Sequence, residues 1–261
     1  MQEPFERTRR KETEMLNIVI PMAGHGSRFA KAGYQMPKPL IEIKGHRMIE
    51  WVVKNVAPKS PHRFIFLCLQ EHIDRYSLQS FLQEIAPGCV VVPVAQVTEG
   101  AACTVLLAQE YIDNDQPLMI ANSDQYLDCD IDAYLKEQQG RDGLIMTMYA
   151  DGEQWSFIAA DGEGLVTEVR EKEVISNQAT AGVYNFARGS DYVRYAREMI
   201  AMDLRVKGEF YVAPVYNMLI GDGKKVAFKN VGSVGDGMYG LGVPEDLKAF
   251  LDHPISHRPP F

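Results

Sequence analysis

The chain has 261 residues, enough to bury a large core in one or two α/β domains, and its net charge of −8 gives no broad pull toward nucleic acid or anionic lipid. Any anionic ligand must therefore be held by local groups. The four cysteines (Cys68, Cys89, Cys103, Cys129) lack zinc-site spacing and read as reduced thiols in apolar or helical surroundings, while the absence of a long apolar run or a secretory leader makes cytoplasm the expected location.

Residues 1–14 carry four acids and four bases with little to bury and read as a flexible arm, leaving residues 15–261 as a single expected domain. From Met15 onward, strand-like and helix-like segments alternate: NIVIP, HRMIEWVVKNV, RFIFLCL, HIDRYSLQSFLQEI, CVVVPVA, AACTVLLAQEYI and PLMIAN. This alternation predicts a Rossmann-like α/β fold, a mixed and mostly parallel sheet flanked by helices, with ligands beyond the carboxyl ends of the strands. Then come strand-like GLIMTMYA, WSFIAAD, LVTEVREKE and TAGVYNFA, helices over residues 191–202 and 209–220, and the strand-like KVAFKNVG. In the final PEDLKAFLDH, Pro244 and two acids occupy a helix's first turn, where the missing N–H and the dipole favour them.

The stretch PMAGHGSRFAKAGYQMPKPL, leaving the first apolar strand, resembles neither common phosphate cradle. The third glycine of a dinucleotide fingerprint is replaced by Phe29, and no P-loop lysine-serine pair follows. What remains suits a polyphosphate. Gly24 and Gly26, preceded by Ala23, allow backbone N–H groups close to an anion; Ser27 can donate; Arg28 offers a planar fork; and Lys38 is braced between two prolines.

GHGSRF followed by PKPL resembles the G-x-G-x-R…PKP signature of the sugar-1-phosphate nucleotidyltransferases, and further motifs line up over nearly all of residues 15–252. The resemblance implies a nucleotide-diphospho-sugar transferase fold, with Gly24 and Gly26 shaping the nucleotide loop, Arg28 holding the departing pyrophosphate and Lys38 bridging phosphates. It assigns Gln96 and Gly100, before the AACTVLL helix, to nucleobase contact. Read alone, that segment is an ordinary loop feeding a helix. Asp124, at the end of PLMIAN, is by resemblance the magnesium ligand; a turn aspartate is the plainer alternative. Glu171 and Lys172 inherit contact with acceptor hydroxyls and acceptor phosphate. Gly182 is by the same resemblance a third acceptor-binding residue, and its place inside a strand-like run implies close approach to the backbone.

Two features stand apart. Asp128 and Asp130 form a D-x-D, which suggests a glycosyltransferase metal pair or, more simply, a cap for the helix DIDAYLKEQ. The family's second metal-binding aspartate falls at Gly240, leaving Asp236 or water to replace it, or a weakened regulatory paralogue. The expected partners are a nucleoside triphosphate and a phosphorylated small molecule, with Mg²⁺ as cofactor and without nucleic acid or membrane insertion; a homo-oligomer is compatible. The expected reaction joins a nucleoside triphosphate to a sugar phosphate, with cytidylyl transfer to a phosphocholine-like acceptor as the alternative.

Overall fold

The computed structural model describes residues 14–258, so the arm expected over residues 1–14 lies, apart from Glu14, outside the described residues. The first strand, β1 (Leu16–Pro21), leads into a five-residue helix, α1 (Ser27–Lys31), and a short 3₁₀ turn at Lys38–Leu40. A two-stranded ribbon, β2 (Glu42–Ile43) and β3 (His46–Arg47), precedes α2 (Met48–Val56). Next come β4 (His62–Leu69), α3 (Gln70–Tyr76), α4 (Leu78–Ile85), β5 (Val90–Val94), α5 (Ala101–Leu106) and α6 (Gln109–Ile112). β6 (Leu118–Ala121), β7 (Gln125–Leu127) and α7 (Ile131–Lys136) complete the first half.

The second half runs β8 (Gly143–Tyr149), β9 (Ser156–Ala160), β10 (Val166–Glu171), β11 (Gln178–Phe186), α8 (Gly189–Ala201), α9 (Val215–Gly221), β12 (Val226–Val234), β13 (Gly237–Gly240) and α10 (Pro244–Asp252). One large sheet joins both halves in the order β5-β4-β1-β6-β11-β8-β12-β13-β7, with β9 and β10 attached beside β11. Seven strands of this path point the same way, while β11 and β7 run against them. The expected mixed, mostly parallel α/β sheet is therefore present.

Alternation along the strands splits the core. Ile18 and Ile20 join Phe64 and Phe66 on one face, whereas Val19 joins Ile65 and Leu67 on the other. A third apolar cluster gathers Phe29, Ile41, Trp51, Leu241, Leu247 and Phe250. It matters for function because it ties together α1, the segment after Lys38 and α10, which border the cleft described below. Each fully buried aromatic there contributes roughly 1.5–3 kcal/mol, enough to hold otherwise irregular loops.

Three expected helices differ from the structure. The one expected from His72 to Ile85 breaks at Ser77, whose φ of 49° is left-handed. The AACTVLLAQEYI helix divides into α5 and α6. Residues 209–214 are not helical, because Phe210 N donates to Glu99 O at 2.9 Å and Phe210 O accepts from Ala102 N at 3.0 Å. Pairing with a distant loop overrides the local helical pattern there. All four cysteines are free; Cys68 and Cys89 are buried, and burial pushes their thiols up to about 12 and about 11, whereas Cys103 and Cys129 are only half-buried.

Candidate active site

A cleft of about 400 Å³ opens at the carboxyl ends of β1, β5 and β6. Its walls are the loop from Ala23 to Arg28, the Lys38 turn, the segment Val97–Ala101 with Thr104, and Asp124, joined by Glu209 and Gly242 from far along the chain. Of the residues singled out from sequence, Ala23, Gly24, Gly26, Ser27, Arg28, Lys38, Gly100 and Asp124 meet here. Gln96 is exposed and does not line the cleft; Val97 and Thr98 stand in its place.

The glycine loop is built to be close to something. A Cβ on Gly24 would meet no atom within 4 Å, so this face of the backbone is open. Gly26 has φ +59° and packs where an added Cβ would lie 3.1 Å from Lys38 Cβ, which fixes the loop against the lysine turn. Among the described residues, the N–H groups of Gly24, His25 and Gly26 donate to no backbone carbonyl, leaving them available to an acceptor. Arg28 likewise forms no ion pair among the described residues.

Lys38 begins a 3₁₀ turn, after an extended Pro37, rather than lying in a fully extended run. Its Nζ donates to Asp124 Oδ2 at 2.7 Å, and the two side chains remain 22% and 25% exposed. Asp124 itself is admitted by a glycine: a Cβ on Gly242 would lie 2.6 Å from Asp124 Oδ2. Two residues earlier, a Cβ on Gly240 would lie 2.9 Å from Asp246 Oδ2. The carboxylate that occupies the space beside Gly240 therefore comes from the first turn of α10. Asp236 instead sits exposed in the turn between β12 and β13. Burial, then the fields of Glu245 and Asp124, push the Asp246 carboxyl above its usual range, while Arg28 pulls it back.

The expected acceptor residues lie outside this cleft. Glu171 ends β10 and is buried, accepting from Ser156 Oγ; burial raises its carboxyl above the ordinary range, against the opposing pull of that bond and of Lys172. Lys172 follows with φ +57°, and its Nζ donates to the Tyr211 hydroxyl.

Two glycines expected to face a ligand closely are approached by the protein itself. A Cβ on Gly100 would lie 2.3 Å from Phe210 O, and one on Gly182 would lie 2.0 Å from Gln125 Oε1 and 2.5 Å from Asn122 Nδ2. Their bareness serves packing, although Gly100 also lines the cleft. The D-x-D residues are occupied elsewhere: Asp130 Oδ1 accepts from Ala133 N at 3.1 Å as the cap of α7, and Asp128 pairs with Arg258 at 2.8 Å. That arrangement fits the simpler expectation of a helix cap for Asp130.

Sequence reasoning missed Thr98 and Thr104, whose hydroxyls meet at 2.6 Å on the cleft wall, and also Glu209, Tyr211, Gly242 and Asp246. Only Asp246 carried a readable signal, as an acid in a helix's first turn. The others come from unremarkable local sequence.

The Nucleotidyl transferase family profile matches residues 18–204. The chain belongs to that family. Mannose-1-phosphate guanylyltransferase catalytic subunit beta of Danio rerio is 26% identical over 181 residues, covering 66% of this chain and 50% of the relative. Bifunctional protein GlmU of Methanocaldococcus jannaschii is 21% identical over 175 residues, covering 66% of this chain and 40% of the relative. The chain thus spans half or less of the length of these two curated relatives. Among solved structures, the nucleoside-diphosphate-sugar pyrophosphorylase of Vibrio cholerae RC9 superposes with a TM-score of 0.80 at 28% identity, covering 90% of this chain and 100% of that one. Among the described residues, no helix of this family member is long and apolar enough to cross a membrane.

Proposed function

We propose that the protein transfers a nucleotidyl group from a nucleoside triphosphate to a sugar phosphate, giving a nucleotide sugar and pyrophosphate for surface polysaccharide or related glycoconjugate synthesis. The observation that carries the reading is the convergence in one cleft of an open glycine loop, Arg28, which has no ion pair among the described residues, and the Lys38–Asp124 pair. The likeness to the Vibrio pyrophosphorylase, which extends over that protein's full length, supports the same class of product.

In this reading an oxygen of the acceptor's phosphate attacks the α-phosphorus, and the bond to the bridging oxygen of the β-phosphate breaks. The electron pair leaves with pyrophosphate. The acceptor monoester has a second pKa of about 6, so near neutrality it is already an anionic nucleophile and needs no general base. The chain's task is to align two anions and neutralise charge. Gly24, Gly26, Ser27 and Arg28 hold the β- and γ-phosphates, Lys38 bridges phosphates across the transfer, and Lys172 binds the acceptor phosphate.

Lys38 must then exchange Asp124 for phosphate. Because both partners are partly exposed, the pair contributes only about 0–1 kcal/mol, so the exchange is cheap.

The donor chemistry fits a hard divalent ion. Asp124 and Asp246 offer carboxylate oxygens at adjacent glycine-lined positions, with phosphate and water left to complete the shell; among the described residues no group of three His, Cys, Asp or Glu side chains is poised for a metal. Bound Mg²⁺ would supply charge neutralisation on the phosphates. Two acids beside a phosphate cradle would otherwise repel the triphosphate, so a divalent ion is expected to accompany it.

The test is a matrix of nucleoside triphosphates against glucose 1-phosphate, mannose 1-phosphate, galactose 1-phosphate and phosphocholine with Mg²⁺, scored by pyrophosphate release. Release with one sugar phosphate supports the reading. Release only with phosphocholine changes the acceptor class, and nucleotide binding without release in any combination contradicts it.

A further inference from the structure

Lys172 presents an unusual combination for a surface cation. It is only partly exposed, its backbone is held in the left-handed region at φ +57°, and its N–H donates to Trp155 O at 2.9 Å, fixing the turn. A non-glycine residue in that region is strained and persists only where the surroundings enforce it, and such residues concentrate at functional sites. Yet among the described residues no carboxylate lies within ion-pair distance of its Nζ. The ammonium is held instead by a neutral group. It donates to the Tyr211 hydroxyl and lies 4.3 Å from the centre of the same ring.

Tyr211 is itself firmly placed. The preceding residue, Phe210, is 1% exposed, pairs through its backbone with Glu99 and Ala102, and carries the Arg205 guanidinium 4.3 Å above its ring. Arg205 also bonds Glu99 at 2.5 Å. The segment that presents Tyr211 is therefore sewn to the wall of the nucleotide cleft, to which the adjacent Glu209 also contributes.

From this arrangement we infer that Tyr211 is a positioning residue: it aims the Lys172 ammonium at the acceptor's phosphate and, being uncharged, leaves that positive charge unspent for the anion. A carboxylate in the same place would orient the lysine equally well and neutralise it. The phenol orients the lysine without forming an ion pair with it, although Glu209 bonds the same hydroxyl and Glu171 adds its field, and the attachment of Tyr211 to the donor wall links the two halves of the proposed site. This inference rests on the nucleotidyl-transfer reading and on Lys172 as the acceptor-binding cation.

The experiment is a double-mutant cycle on the full-length enzyme, using whichever of the four acceptors named above the wild-type protein turns over best. Tyr211→Phe keeps the ring but removes the hydrogen bond to a charged group, so the acceptor KM should rise about tenfold. The nucleotide KM should stay within about twofold and the melting temperature within about 2 °C, since Phe210 and its backbone bonds are untouched. Tyr211→Glu should raise the acceptor KM further than Tyr211→Phe. In a Lys172→Ala background, Tyr211→Phe should add nothing, because the hydroxyl would have lost the group it acts through.

An unchanged acceptor KM in Tyr211→Phe, or additive effects in the double variant, would overturn the inference while leaving the transfer reaction standing. If Lys172→Ala leaves the acceptor KM unchanged although pyrophosphate is released, both the assignment of Lys172 and the inference fall. Without pyrophosphate release from the wild-type enzyme under any pairing, the functional reading itself fails.

Discussion

The cleft around Lys38 and the region around Lys172, the proposed donor and acceptor sides, hold their lysines in different ways. In the cleft, Lys38 sits on Asp124 at 2.7 Å, with both side chains about a quarter exposed, while Arg28 forms no ion pair among the described residues. On the acceptor side, Glu171 is buried on Ser156 and Lys172 rests against a phenol. The contrast follows from what each half must do. Under the proposed function, a triphosphate and its metal call for groups that trade partners on binding, whereas a single phosphate monoester is met by a cation already aimed and free of a direct ion pair among the described residues.

The largest effect that would sharpen this contrast is expected at Lys38. Lys38→Met should lower kcat by about 10³-fold, with the fold intact because an exposed pair stabilises little. Turnover within a few-fold of wild type would remove the lysine from the chemistry. Next comes Gly242→Ala, whose methyl would lie 2.6 Å from Asp124 Oδ2 and force that carboxylate to move. Turnover should fall about 10–100-fold with the acceptor KM little changed, and an equal rise in the acceptor KM would blur the division between halves.

Asp246→Asn should weaken Mn²⁺ binding in the presence of a non-hydrolysable triphosphate about tenfold, read from the free-Mn²⁺ electron paramagnetic resonance signal. Unaltered Mn²⁺ binding in Asp246→Asn would leave Asp124 as the sole carboxylate contributor.

The smallest effect belongs to Glu171. Burial raises its carboxyl above the unfolded range near about 4.3, so the stability it contributes is present below that range and is lost as pH climbs through the raised folded value. Glu171→Gln should therefore match wild type near pH 4 and melt about 2–4 °C higher at pH 8. The acceptor KM should worsen at the same time. A lower melting temperature at pH 8 would mean that the bond to Ser156 outweighs the cost of burying the charge.

The glycine loop and the Pro-Lys-Pro turn were legible because their chemistry is contiguous in sequence, and apolar runs such as NIVIP and RFIFLCL announced the strands that carry them. Asp130 was recognisable as a cap for the same local reason. Tyr211, Glu209 and Gly242 were not, because their roles exist only after distant segments meet. Gly100 and Gly182 show the limit from the other side. A bare backbone signals close approach but not by what, and here Phe210, Gln125 and Asn122 fill the space. Residues 209–214 carry a helical pattern that yields to backbone pairing with Glu99 and Ala102, a contact no local periodicity encodes.

The most direct measurement is a crystal structure with a non-hydrolysable nucleoside triphosphate and Mg²⁺. The β- and γ-phosphates are expected against Gly24–Arg28, with Lys38 Nζ turned from Asp124 onto phosphate oxygen. Triphosphate bound elsewhere, with Lys38 still paired to Asp124 and the cleft filled by solvent, would contradict the assignment.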